Sequence, residues 1–130
     1  MKDKLRQFIA SRKFAFIASV DEEGYPYIKA MLYPRKVAED YRAFYFSTNT
    51  SSLRVRQFSG NPRASVYFCS LLQVRGVMLR GRMEVLHDQA LKDELWRRGD
   101  TQYYPLGVTD PDYCVLRFVA DDTPPRTFRL

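Results

Sequence analysis

Apolar and polar residues alternate along most of this chain with a period of two, the spacing that predicts β-strands. A helical spacing replaces it in three short stretches: residues 2–11, residues 51–58 and the segment that follows Asp88. Links of mostly hairpin length favour an antiparallel barrel, because a parallel sheet would need a helical crossover after nearly every strand. The six predicted strands are residues 14–20, 25–33, 42–47, 63–70, 74–86 and 114–119.

The composition is typical of one compact domain. Of the 130 residues, 45% are hydrophobic and 15% aromatic, and no linker-like segment divides them, so a single domain over residues 1–130 is expected. Arg12 and Lys13 interrupt the apolar residues near the N-terminus, which disfavours a signal peptide or a membrane span. Cys69 and Cys114 each lie in an apolar run typical of buried thiols. We therefore expect a soluble, cytoplasmic protein.

The net charge of +6 makes nucleic acid a candidate partner. The basic residues are dispersed, however: some open the chain, Arg80 and Arg82 lie in a predicted strand, and Arg97 and Arg98 close a predicted helix. A small anionic ligand explains the excess charge equally well. We expect no nucleic-acid partner; a steep salt dependence of DNA or RNA affinity would indicate one.

The segment Ala43 to Arg56, AFYFSTNTSSLRVR, carries the strongest chemical signal. An aromatic strand runs into hydroxyls and an amide, followed by two arginines at the start of a helix. Free N–H groups of a first helical turn, the helix dipole and a guanidinium together suit a phosphate. A capped helix start without a ligand shows the same local pattern, so both interpretations stay open here. The candidate ligands are Ser47, Thr48, Asn49, Ser51, Ser52, Arg54 and Arg56.

Three longer patterns resemble the pyridoxamine 5′-phosphate oxidase-like family of flavin-binding split barrels. They are FAFIASVDEEGYPYIKAM at residues 14–31, FYFSTNTSSLRVRQFSGNPRASVYF at residues 44–68, and GVMLRGRMEVL followed by a helix and DPDYCVLRF at residues 110–118. Their order and spacing cover almost the whole chain. The resemblance implies a mainly β (α+β) fold: a six-stranded antiparallel Greek-key split barrel with flanking short helices, assembled as a homodimer.

The same resemblance implies a flavoprotein that binds FMN at the homodimer interface and acts as an oxidoreductase or reductase on a small molecule. Because the flavin supplies the hydride and electron chemistry, no protein nucleophile is required and no catalytic residue is assigned. Tyr103 and Tyr104 are candidates to line the exposed face of the ring. The implied cofactor-binding residues are Lys29, Ala30, Met31, Ser47, Thr48, Asn49, Ser52, Leu53, Arg54 and Arg75.

Two departures from the family pattern bear on this expectation. Where the vitamin-B6 oxidases carry two successive basic residues, this chain has Leu53 followed by Arg54, so one phosphate ligand is missing unless Lys29 or Arg56 compensates. The chain ends at ADDTPPRTFRL, where the oxidases continue into a segment that closes the flavin and binds pyridoxal phosphate. Oxidation of pyridoxamine phosphate is therefore not expected, and a reductase or a stress-type flavoprotein is favoured.

The alternative to an enzyme is a non-enzymatic binding module on the same barrel, with haem, a deazaflavin or a nucleotide as its ligand. Haem needs an axial ligand, and His87 is the single histidine of the chain. A deazaflavin would occupy the same pocket as FMN, and the sequence does not separate the two. The sequence contains no cluster with metal-ligand spacing, so no metal is expected.

Overall fold

The computed structural model describes residues 1–121 and 124–130; residues 122–123, part of the Pro-rich tail, lie outside the described residues. The strands are β1 Phe14–Val20, β2 Pro26–Leu32, β3 Lys36–Val37, β4 Ala43–Asn49, β5 Arg63–Ser70, β6 Arg75–Leu86, β7 Tyr113–Ala120 and β8 Arg126–Arg129. The α-helices are α1 Asp3–Ala10, α2 Leu53–Gly60 and α3 Gln89–Leu95, and a 3-10 helix spans Asp100–Gln102. All six predicted strands are present. The sequence analysis did not predict β3, which is too short to show an alternation, or β8, which lies in the Pro-rich tail.

The sheet is antiparallel throughout and curls into an open barrel. Its strand order is β2-β1-β5-β6-β7-β4-β3, and β8 pairs with the first part of β6. β2 and β3 stand at opposite ends of this order, yet only residues 33–35 connect them. Since an extended chain advances at most about 3.6 Å per residue, the two edges lie within about 14 Å of each other. The gap of the barrel therefore lies between β2 and the β3–β4 edge.

The interior of the barrel is filled by alternate residues of the strands. In β4 and β5 every second side chain is buried, as the period of two predicts. Phe44 lies at the centre, with its ring centroid 5.7 Å from that of Phe68 and 6.2 Å from that of Phe118. Burial of each such ring stabilises the fold by about 1.5–3 kcal/mol. This core holds β4 rigid up to the point where its last residues leave the sheet and α2 begins.

A second, smaller aromatic cluster packs on the outside of β7. The ring of Tyr113 lies 4.8 Å from that of Tyr104 and 5.4 Å from that of Trp96. The prediction that α3 reaches residues 97–98 is wrong, because the helix ends at Leu95. The Arg35 guanidinium donates a hydrogen bond to the Leu95 carbonyl, and the Asp100 carboxylate accepts the N–H of Arg97. These bonds replace the next hydrogen bonds of the helix.

None of the helices in residues 1–121 and 124–130 is both long and apolar enough to cross a bilayer.

Candidate functional site

The gap between β2 and β4 contains a cavity of about 290 Å³, called here the β2–β4 cavity. Its volume is near the lower end of the range typical of small-molecule sites. Three segments form its walls: the second half of β2 with the residues after it, the end of β4 with the start of α2, and the loop after the 3-10 helix. The lining residues are Lys29, Ala30, Met31, Leu32, Tyr33, Arg35, Phe46, Ser47, Thr48, Asn49, Arg54, Tyr103 and Tyr104.

Most of the predicted cofactor-binding residues gather in this region. Lys29, Ala30, Met31, Ser47, Thr48, Asn49 and Arg54 line the β2–β4 cavity. Ser52 and Leu53 line an adjoining cavity of about 330 Å³, called here the α2 cavity, which shares Lys29 and Arg54 with the first. The structure thus brings nine residues together that are separated by up to 25 positions in the sequence. Their role in binding a cofactor stays a prediction.

Within a single chain, Arg75 lines neither the β2–β4 cavity nor the α2 cavity. It lies at the start of β6, opposite Arg129 of β8, and its guanidinium carbon is 4.9 Å from the centroid of the Phe8 ring. Arg75 therefore contacts the N-terminal helix and not the start of α2.

The start of α2 is a capped helix N-terminus beside the end of β4. Ser52 is the N-cap, with an extended backbone and a side-chain oxygen that accepts the N–H of Val55 at 3.3 Å. The N–H groups of Leu53 and Arg54 precede the first intrahelical bonds, so they have no acceptor within the helix. The positive end of the helix dipole lies at the same terminus.

Arg54 is an incompletely paired side chain of the site. Its Nη2 donates to Thr48 Oγ1 at 3.1 Å, but its Nε is buried and has no acceptor among the described residues. Burial lowers the pKa of this guanidinium, because no carboxylate of the described part of the chain lies close enough to offset the lost solvation. The group still stays charged at neutral pH. A half-buried cation with an unused donor is suited to an anionic ligand.

Asn49 takes part in the site by shaping the loop before α2. Its Nδ2 donates to Asp112 Oδ2 at 2.8 Å, and the N–H of Ser51 donates to Asp112 Oδ1 at 2.8 Å. These bonds, with that from Asn49 the larger effect, lower the pKa of Asp112. The carboxylate therefore ties the β4–α2 loop to the segment before β7. Asn49 lines the cavity, but its amide nitrogen is already used.

The opposite wall contains residues that the sequence analysis did not propose. Burial, with a smaller effect from nearby Tyr41, raises the pKa of Tyr33 to about 12, so its phenol is neutral and able to donate a proton in a hydrogen bond.

The predicted residues Tyr103 and Tyr104 both line the β2–β4 cavity from the same chain; Tyr104 is buried and Tyr103 is 54% exposed. Their ring centroids are 6.3 Å apart in an edge-to-face arrangement.

Arg35 is the second arginine of the cavity wall, but it is already paired. Its Nη1 and Nη2 lie 2.7 and 2.9 Å from the two carboxylate oxygens of Asp100, and Nη1 also donates to the Leu95 carbonyl at 3.1 Å. This bidentate pair anchors the loop that carries the two tyrosines. In the sequence, the only sign that Arg35 has a structural role is its position directly after Pro34 at a strand end. That sign does not identify its partner Asp100, which lies 65 residues away.

No group of three or more potential metal ligands occurs among residues 1–121 and 124–130. His87 is exposed and follows the end of β6, at the opposite end of that strand from Arg75.

Comparisons with known proteins agree with this architecture. The model of a family described as pyridoxamine 5′-phosphate oxidase matches residues 1–123. A solved Clostridium acetobutylicum protein, related to general stress protein 26 of B. subtilis (pyridoxinephosphate oxidase family), is 36% identical with a TM-score of 0.80, over 98% of this chain and 92% of that one. General Stress Protein 26 from Bacillus anthracis is 21% identical (TM-score 0.76; 98% and 97% covered), and Group A Streptococcus HupZ is 18% identical (TM-score 0.72; 100% and 94% covered). These last two show the fold alone. Together the matches confirm the expected split barrel.

Proposed function

This chain belongs to the pyridoxamine 5′-phosphate oxidase family, and we propose from that membership and from the site that it is a flavoprotein that binds FMN. The observation that carries the proposal is Arg54: a half-buried guanidinium with an unused Nε donor, next to the free N–H groups of a helix start. This arrangement suits the terminal phosphate of a mononucleotide. An oxidoreductase or reductase that acts on a small molecule is the activity we propose.

The chemistry of the two cavities fits the two ends of FMN. The phosphate would contact Arg54 and the first N–H groups of α2 in the α2 cavity. Lys29 lines both cavities and adds a second positive charge, so it compensates for the uncharged Leu53. Met31 and the Tyr103 ring offer apolar and aromatic surface in the β2–β4 cavity, as a flat ring system requires.

The residues of this chain would position the cofactor and limit its surroundings. When bound, the flavin supplies hydride and electron transfer. Arg54 holds the phosphate and thereby fixes the register of the ring in the β2–β4 cavity. The neutral Tyr33 phenol offers one hydrogen bond, and Tyr103 and Tyr104 exclude water from one side of the cavity. No protein acid or base is assigned to the reaction.

Three further parts of the sequence-based prediction stay proposals. We keep a cytoplasmic location, with which two free thiols, Cys69 and Cys114, are compatible. Oxidation of pyridoxamine phosphate is not part of the proposed function. A deazaflavin would use the same anion site, because its phosphate could meet the same Arg54 guanidinium; the spectrum described below separates it from FMN.

The proposed function is tested by an absorption spectrum of the purified protein, with mass spectrometry of the released ligand. We expect the visible bands of an oxidised flavin and the mass of FMN. If the protein is purified without ligand, added FMN should bind with a Kd on the order of 1 μM. A protein that carries no flavin and binds none at micromolar FMN would contradict the proposal. A deazaflavin spectrum would identify a deazaflavin as the ligand in place of FMN, and a Soret band would identify haem.

We also propose a homodimer, in which a second copy covers β2. This strand lies at the edge of the sheet and exposes apolar side chains, including Ile28 at 74% and Leu32 at 64% exposure. A bare apolar edge strand is usually covered by a partner. We expect light scattering after gel filtration to give about twice the chain mass of 15.3 kDa.

The Ile28→Lys variant should shift this dimer toward monomer, because it places a charge in the covered face; since Ile28 also lines the α2 cavity, the variant and its control are compared without added flavin. The matched control is Leu72→Lys, which changes an exposed leucine in the β5–β6 turn and should leave the dimer intact. A wild-type protein that stays monomeric at high concentration with FMN present would disprove this assembly.

A further inference from the structure

The α2 cavity continues beyond the proposed phosphate position. Tyr27, Leu53 and Gln57 line both the α2 cavity and a third cavity of about 500 Å³, called here the turn cavity. The β2–β4 and α2 cavities share two lining residues and the α2 and turn cavities share three, so the three cavities adjoin in a row, called here the groove, along the start of α2. The remaining lining residues of the turn cavity are Val20, Asp21, Glu22, Glu23, Arg56, Gly60 and Asn61.

The turn cavity is larger than the β2–β4 cavity and has no occupant in the proposed FMN complex. The phosphate is the terminal group of FMN, so a molecule held by Arg54 ends in the α2 cavity. Only a ligand that continues through its phosphate reaches the turn cavity.

The side chains of α2 suit a second phosphate on this path. At 3.6 residues per turn, Leu53 and Gln57 share one face of the helix, with Arg54 on one side of that face and Arg56 on the other. Arg54 lines the α2 cavity and Arg56 lines the turn cavity. The Arg56 side chain is exposed and makes no hydrogen bond or ion pair within residues 1–121 and 124–130. A diphosphate that crosses the face of Leu53 meets one guanidinium on each side.

The far end of the turn cavity suits a nucleoside. The half-exposed ring of Tyr27 offers a surface on which a base stacks. Asp21 is committed to the β1–β2 turn, where its Oδ1 accepts the N–H groups of Glu23 and Tyr25. The exposed carboxylates of Glu22 and Glu23 remain as acceptors for ribose hydroxyls, a contact that carboxylates make in other dinucleotide sites.

We propose that this groove takes a flavin dinucleotide. The FMN part of FAD occupies the site described under the proposed function, on which this inference rests, and the second phosphate and the adenosine extend past Leu53 into the turn cavity. Leu53 lines both the α2 and the turn cavity, and its uncharged side chain leaves the two phosphates to Arg54 and Arg56. Arg56 binds the second phosphate and is thereby the residue that distinguishes FAD from FMN.

The test is calorimetric titration of the flavin-free protein with riboflavin, FMN and FAD. We expect FMN to bind more tightly than riboflavin, and FAD at least about tenfold more tightly than FMN. Arg56→Gln should weaken FAD binding about tenfold and change FMN binding less than about twofold. The matched control is Arg98→Gln, which removes one positive charge from an exposed position after α3 and should change neither affinity.

The possible results separate the dinucleotide inference from the proposed function. If FMN binds but FAD binds no more tightly, the groove does not take the dinucleotide and the proposed function stands. An equal loss of FMN and FAD affinity in Arg56→Gln would assign Arg56 to the shared phosphate and also overturn the inference. Failure of the wild-type protein to bind any flavin removes both. Arg56 is exposed, so the variant should fold; a thermal melt by circular dichroism verifies this.

Discussion

Replacement of Arg54 by alanine weakens FMN binding by about 1.5–3 kcal/mol, or roughly 10- to 150-fold in Kd. The guanidinium is half-buried, donates only to Thr48 within the described chain and has an unused Nε, so a phosphate gains a charge-assisted bond that water cannot fully replace in the variant. Flavin titration of wild-type and variant protein measures the effect.

Two comparisons make the Arg54 result specific to the phosphate. Riboflavin has the ring but no phosphate, so its affinity should be the same in the wild type and in Arg54→Ala. Arg54→Lys should give an intermediate FMN affinity, because the charge remains but the planar fork is lost. The free energy of unfolding of the ligand-free protein should not fall, because the removed group is incompletely paired. An unchanged FMN Kd in Arg54→Ala would exclude Arg54 from the site.

Replacement of Asp100 by asparagine lowers the free energy of unfolding by about 3–5 kcal/mol. The two side chains of the Arg35–Asp100 pair are only 14% and 5% exposed, so the variant leaves a guanidinium without its counter-ion in a poorly solvated place. The N–H of Arg97 also loses its carboxylate acceptor. Urea denaturation of the ligand-free protein measures the difference.

The matched control for this prediction is Glu94→Gln. It breaks the Lys36–Glu94 pair, which has the same 2.7 Å separation but side chains that are 44% and 51% exposed. Exposed pairs contribute about 0–1 kcal/mol, so this variant should unfold almost like the wild type. Equal stability losses in the two variants would show that burial of the Arg35–Asp100 pair does not set its strength.

The pKa of the Asp100 carboxylate predicts that the difference in unfolding free energy between wild type and Asp100→Asn depends on pH. Burial raises the pKa of Asp100, but the hydrogen bonds from Arg35 and from the N–H of Arg97 together lower it by more than burial raises it. The net pKa therefore lies below the ordinary value of 3.8. Because the folded-state pKa is the lower one, the stabilisation is complete above the unfolded-state pKa and is lost as the pH falls through the folded-state pKa. The gap between wild type and Asp100→Asn should therefore narrow below about pH 4. A constant gap down to the acid transition would contradict this assignment.

Local structure could be predicted from the sequence because burial of alternate side chains is a local pattern. The period of two located the six longer strands, and the Ser52 cap with the hydroxyl-rich stretch before it located the start of α2. The end of α3 was not predictable in the same way, since Arg35 and Asp100 end it from outside the helix. The resemblance to the family brought Lys29 and Arg54 into one hypothesis before any distance was known.

By itself, therefore, the sequence determined the strands, the capped start of α2 and the family pattern, since each depends on residues close to one another along the chain. Only the tertiary structure decided that β2 and β4 face each other across the barrel gap, that Arg35 is neutralised by Asp100 while Arg54 is not, and that Arg56 faces another cavity. These facts depend on how a curled sheet brings its distant edges together. That closure is set by the packing of the whole aromatic core, and no single segment encodes it.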